Sequence, residues 1–141
     1  MVPFDAAMRV GTAEVTATLL VVALLAVRPR VRAAAEIGSM QPMRLALNVM
    51  ELGTQRVYDG RPPFEVGRAR DNDLVLRDAE VSRTHVRFES RNGIVYVDDL
   101  GSSNGTFLNG QRVTESIEVR EGDRVDVGTT RMVVTEVAPW T

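Results

Sequence analysis

Cysteine and lysine are both absent from this 141-residue chain, and histidine and tryptophan occur once each. Without cysteine there are no disulfides and no thiolate metal ligands. One histidine makes a zinc site only if several carboxylates converge on it, so no metal is expected. All 17 basic residues are arginine, set against 19 acidic ones for a net charge of −2. That balance excludes a strongly basic nucleic-acid binder. Residues 44–141 alone hold 13 arginines against 16 acidic residues, a net −3, with few aromatics, so no nucleic-acid partner is expected. No nucleophile–base pair and no cofactor loop stands out either. The expectation is therefore no enzyme, no cofactor and no small-molecule substrate.

Composition changes near residue 28. Val10 to Val27 reads VGTAEVTATLLVVALLAV, with Glu14 its only charge. As a helix these residues would rise about 27 Å, close to the roughly 30 Å hydrocarbon core of a bilayer. Arg28, Arg30 and Arg32 follow at once, and positive charge on that side places it in the cytoplasm. The expected organisation is a short extracytoplasmic N-terminus over 1–9 and a single transmembrane helix over 10–27. A basic juxtamembrane linker over 28–43 and a cytoplasmic domain over 44–141 complete it, which puts the protein at the cell membrane. Three other readings stay open: a cleaved signal peptide, whose positive charges would normally come first, a buried or interfacial helix, and a start of translation at Met40 or Met43.

From residue 44 short apolar runs alternate with turn residues. Leu45–Leu52, Phe64–Val66, Leu74–Leu76, Val86–Phe88, Ile94–Val97, Thr106–Leu108, Ile117–Val119, Val125–Val127 and Met132–Val137 are such runs. Their spacing predicts an all-β, antiparallel sandwich. Asn92-Gly93 and Asn109-Gly110 suit two-residue hairpin turns, because both central positions need positive φ.

Three segments carry the chemistry: Gly67-Arg68, Ser82-Arg83-Thr84-His85, and DLGSSNGTFLNG over Asp99–Gly110. A guanidinium at a strand end offers a rigid fork of donors matched to phosphate oxygens. Ser82 adds a hydroxyl and Arg83 an amide or a charge, while the amide of Asn104 both donates and accepts. Side by side, these loops would bind a phosphorylated protein. His85, a lone histidine without a carboxylate pattern near it, reads as a hydrogen-bonded structural residue, and Asp98-Asp99 as the end of a strand.

These motifs, followed by EGDRVDVG at Glu121–Gly128, resemble the forkhead-associated (FHA) domain. The resemblance covers about Arg44 to Val137 and implies a β-sandwich of about eleven strands that binds phosphothreonine peptides at one end. It implies that Arg68 and Ser82 contact phosphate and that Arg83 adds a phosphate or peptide contact. Asn104 would bond the peptide main chain, and Ser103 stands where many members have threonine. His85, Gly67 and Gly105 match residues that brace or shape the loops. Family members read the residue three after the phosphothreonine, for which Arg70, Asp71, Glu80 and the Ser102 region are candidates. Opposing charges on Arg70 and Glu80 leave the sign of that preference open. The chain is also similar to small bacterial proteins with one N-terminal span, some linked to kinase control of cell-envelope synthesis and division. The expected function is a membrane-tethered phosphothreonine reader whose partners are Ser/Thr kinases or their substrates. The alternative is a scaffold that binds its partner independently of phosphorylation.

Overall fold

The computed structural model describes residues 41–141. The expected span over 10–27 and most of the linker lie outside them. Among the described residues no helix is long and apolar enough to cross a membrane.

Eleven strands form the domain: β1 (Met43–Glu51), β2 (Thr54–Gly60), β3 (Phe64–Gly67), β4 (Leu74–Val75), β5 (Val86–Arg91), β6 (Ile94–Asp99), β7 (Thr106–Leu108), β8 (Gln111–Arg112), β9 (Ile117–Glu118), β10 (Arg124–Val127) and β11 (Thr130–Pro139). One sheet runs β2-β1-β11-β10-β7-β8 and the other β4-β3-β5-β6-β9. The fold is all-β as expected, with one correction: β3 and β4 pair in parallel, Val66 against Leu74 and Gly67 against Val75. A parallel pair needs a crossover rather than a hairpin, and here the crossover is the short loop over residues 68–73.

Alternation decides the packing. Leu45, Leu47 and Val49 of β1 are fully buried, as are Val86 and Phe88 of β5 and Val95 and Val97 of β6. Phe88 stacks on Phe64 with centroids 5.1 Å apart, and Tyr58 meets Phe64 edge-on at 5.3 Å. Each fully buried aliphatic or aromatic side chain contributes roughly 1.5–3 kcal/mol, so this shared interior holds the sheets together.

Both expected Asn-Gly turns form, with φ of 52° and 72° at Asn92-Gly93 and 50° and 85° at Asn109-Gly110. A third turn of this kind was not expected. Leu52 (φ 46°) and Gly53 (φ 79°) join β1 to β2, so β1 stops one residue short of the predicted Leu45–Leu52 run. In β11, Thr135 is bulged out between the partners of Ala46 and Leu47, and its hydroxyl donates to the Ala46 carbonyl at 3.2 Å.

The chain enters and leaves the sandwich side by side. Met43 pairs with Pro139, and the Trp140 amide donates to the Pro42 carbonyl at 2.6 Å. The connections β1–β2, β3–β4, β4–β5, β6–β7 and β10–β11 gather at the other end, where Thr106 pairs with Val127.

Candidate phosphate-binding loops

Three of these connections carry the candidate residues: 68–73, 76–85 and 100–105. The second is laid against the first by main-chain bonds. Arg68 N donates to Ser82 O and Ala69 N to Arg83 O, each at 3.0 Å, and His85 N donates to Val66 O at 2.9 Å. Gly67 is required by that approach, since a Cβ there would collide with the Arg83 carbonyl. Asn72 is buried and bonds both loops, donating Nδ2 to Ala69 O at 2.8 Å and Arg83 O at 2.6 Å.

Arg68, an exposed residue, leaves the end of β3. Its Nε donates to Val81 O at 3.2 Å, which ties down the guanidinium and leaves its terminal nitrogens without a partner among the described residues. Among the described residues no carboxylate pairs with Arg68. Asp73, a candidate to neutralise it, instead accepts the Glu65 amide at 2.9 Å. Ser82 Oγ accepts from Ser103 N at 3.1 Å, so its hydroxyl hydrogen remains free to donate. Asn104 donates Nδ2 to Glu80 O at 2.8 Å, which leaves its carbonyl oxygen and second N–H for a ligand. Arg83 and Ser103 are exposed beside them. Arg68, Ser82, Arg83, Ser103 and Asn104 therefore stand on three mutually bonded loops at one end of the sandwich.

His85 is fully buried beneath these loops. Its Nδ1 lies 3.0 Å from the Ser82 amide, which can only donate, so Nε2 carries the proton and donates to Gly105 O at 2.9 Å. One neutral ring thus joins the second loop to the third. Gly105 holds φ of +85°, a conformation that strains other residues.

Four carboxylate or amide residues that set the loops escaped the sequence reading. Asp99 ends β6, as predicted, but also folds the third loop: it accepts from the amides of Gly101 and Ser102 at 3.1 and 3.0 Å and from the hydroxyls of Ser102 and Thr106 at 2.5 and 2.7 Å. Burial pushes its carboxyl up, but these bonds outweigh burial and hold it below the usual carboxylate range. The Ser102 hydroxyl, one of the candidates for peptide contact, is engaged within the loop, donating to Asp99 and accepting from Gly105 N at 2.9 Å.

Asp78, 2% exposed, accepts from Thr129 N and Oγ1 at 2.7 and 2.6 Å, from Thr130 Oγ1 at 3.0 Å and from Glu80 N at 3.0 Å. Burial again acts to raise its carboxyl and the bonds bring it below the ordinary range. Buried Glu51 accepts from the amides of Arg77 and Asp78, and Asn72 is the bridge described above. Asp99 had a local signal, a carboxylate two and three residues before Gly and Ser. Asp78 had only its bond from the Glu80 amide two residues on, and Glu51 had none, since their other partners are distant in sequence.

A two-sheet sandwich that gathers polar loops at one end, with an unneutralised arginine among them, is a recognition domain of the β-sandwich class. A family model described as "FHA domain" matches residues 64–128, and the chain carries an FHA domain. It is 38% identical over 101 residues to the FHA domain-containing protein FhaB of Mycolicibacterium smegmatis, a match covering 66% of this chain and 65% of that protein. The chain spans about half to two thirds of the length of the FhaB proteins it matches. Among solved structures, one described as an analysis of phosphothreonine-dependent FHA domain interactions superposes with a TM-score of 0.60 at 28% identity, over 66% of this chain and 96% of that one. The FHA domain of FhaA complexed with the intracellular domain of Rv3910 superposes with a TM-score of 0.58 at 28% identity, over 64% and 98%.

Proposed function

We propose that residues 44–141 read phosphothreonine on partner proteins, as an adaptor in Ser/Thr kinase signalling. The observation that carries this is Arg68: clamped through Nε, unpaired by any described carboxylate, and set beside a serine hydroxyl with a proton to give. A phosphate dianion accepts several charge-assisted bonds from such a group. Asn104 is placed to take the peptide main chain. The phosphothreonine-dependent FHA structure and the FhaA complex support the same reading through their likeness to this chain.

The tether belongs to the proposal too. The apolar run over 10–27, followed by Arg28, Arg30 and Arg32, would hold the domain on the inner face of a membrane. There a high local concentration of membrane-bound kinases and substrates lets a weak site suffice. A role in cell-envelope synthesis or division is proposed from the resemblance alone.

Titration of the full-length chain, in a nonionic detergent, with matched phosphorylated and unphosphorylated threonine peptides tests this. Each charge-assisted bond contributes roughly 1.5–3 kcal/mol, so Arg68→Ala should weaken phosphopeptide binding by at least about a hundredfold. Equal affinity for both peptides would overturn the reading. Partner capture unchanged in Arg68→Ala and Ser82→Ala would favour the phosphorylation-independent scaffold.

A further inference from the structure

The four sheet edges among the described residues are not protected alike. β8, β4 and β9 end their sheets with two residues each, and such short edge strands offer little to pair with. β2, the fourth edge, is seven residues long. It holds no proline or lysine, and its register with β1 runs from Glu51–Thr54 to Leu45–Gly60 without a bulge. Those are common devices for blunting an edge, and β2 lacks them. Its two charged side chains are engaged on the domain itself. Arg56 donates to Val75 O at 2.7 Å and so covers the β4 edge, and Asp59 accepts from Arg44 at 2.8 Å. Between them Val57 is 74% exposed, more than any other large hydrophobic residue described.

The turn before β2 decides which main-chain groups are free. Leu52-Gly53 makes a two-residue hairpin, so Glu51 and Thr54 exchange main-chain bonds and every second pair after them does the same. Arg56 and Tyr58 therefore bond inward to β1, while the N–H and C=O groups of Gln55, Val57 and Asp59 point away from the sheet. No turn, loop or side-chain bond among the described residues reaches those groups.

We infer that this edge pairs antiparallel with β2 of a second copy of the chain, joining two six-stranded sheets into one. The inference goes beyond the phosphothreonine reading and does not rest on it. The residues of β2 select the register. Centred on Val57, pairing sets Gln55 opposite Asp59 of the second copy and Arg56 opposite its Tyr58. The outward groups of both copies then exchange about six main-chain bonds. An amide meets a carboxylate and a guanidinium meets an aromatic ring, with no like charges opposed. A slip towards the turn sets Arg56 against Arg56, which repels. A slip the other way leaves only about four main-chain bonds. A strand that fits itself in one alignment names its occupant as a second copy. Antiparallel pairing reverses one copy relative to the other, so the two sets of recognition loops face opposite ways.

The lack of cysteine makes one substitution a unique probe. The full-length chain, in nonionic detergent, is treated with a short bis-maleimide after Val57→Cys, Gln55→Cys or Thr114→Cys. In the inferred pair the two copies of residue 57 have Cα atoms about 5.5 Å apart. The two copies of residue 55 are separated by about 13 Å along the strand. Val57→Cys should therefore give crosslinked dimer, and the other two little. Sedimentation of the wild-type chain should show a protein mass that rises with concentration towards twice that of one chain. Val57→Pro removes an outward N–H that the domain does not use, and Val57→Glu sets two carboxylates opposite each other. Each should return the mass to that of one chain with the urea midpoint close to wild type. If Val57→Pro also lowers that midpoint, Val57→Glu decides, because its side chain stands in solvent. A wild-type chain of single mass at every concentration would overturn the pairing and leave the edge to a strand of another protein. A dimer unmoved by Val57→Glu, or crosslinking as strong at residue 55 as at residue 57, would overturn it too.

Discussion

The β6–β7 loop carries its own organiser, whereas the β4–β5 loop is held from outside. Asp99 gathers donors from Gly101, Ser102 and Thr106, all within seven residues of itself. Asp78 reaches to Thr129 and Thr130, more than fifty residues on, and Glu51 reaches forward to Arg77 and Asp78 from the end of β1. One loop is a local fold that happens to sit beside the site. The other takes its shape from the sheet behind it, so its conformation reports on the whole sandwich. His85 and the Ser82–Ser103 bond join the two. The loop end of the sandwich thus has a locally specified half and a globally specified half that meet at one ring.

Breaking the outside anchor should have the largest effect. Asp78→Ala leaves buried threonine and amide donors unpaired, which should cost about 3 kcal/mol of stability, read as a lower urea midpoint. It should also abolish phosphopeptide binding. Asp99→Ala removes bonds in a half-buried loop and should cost less, about 2 kcal/mol. Its effect should concentrate in faster amide exchange at Gly101 and Ser102, with the exchange of β1 and β11 little changed; equal loosening of those strands would break the distinction between the loops.

Acid should weaken both anchors together. Both carboxyls lie below their ordinary range when folded, so the unfolded chain binds more protons. Their contribution is complete above the unfolded carboxylate pKa of about 3.9 and is lost as pH falls through the lower folded values. Urea midpoints should therefore hold from pH 7 to about pH 5 and drop below about pH 4, with a shallower drop in Asp78→Asn and Asp99→Asn. The smallest change expected is a gain. Leu52 sits in the left-handed region, 65% exposed, where asparagine is better tolerated. Leu52→Asn should raise stability by about 0.5 kcal/mol in the same urea measurement.

The turns that need asparagine and glycine were legible, as were the alternating core runs and the motif residues on the loops. Each is written in neighbouring residues. The β2 strand was not: Thr54, Gln55, Arg56 and Val57 are exposed on a sheet edge, so burial imposes no alternation, and the preceding turn uses leucine where asparagine would have marked it. The parallel β3–β4 pair was hidden because two residues of β4 carry no sign of strand direction. In the site, Arg68 and Ser82 were readable as chemistry, yet what aims them was not. Asn72, Asp78 and Glu51 act across the fold, and a polar residue in a loop looks the same whether it is solvated or buried.

The pairing of Met43 with Pro139 has a further consequence. Entry and exit share one point on the surface, so a segment attached at either side bears on the domain as a single swivel. Tension or rotation applied there passes into β1 and β11, which are zipped along their length, while the recognition loops lie at the far pole.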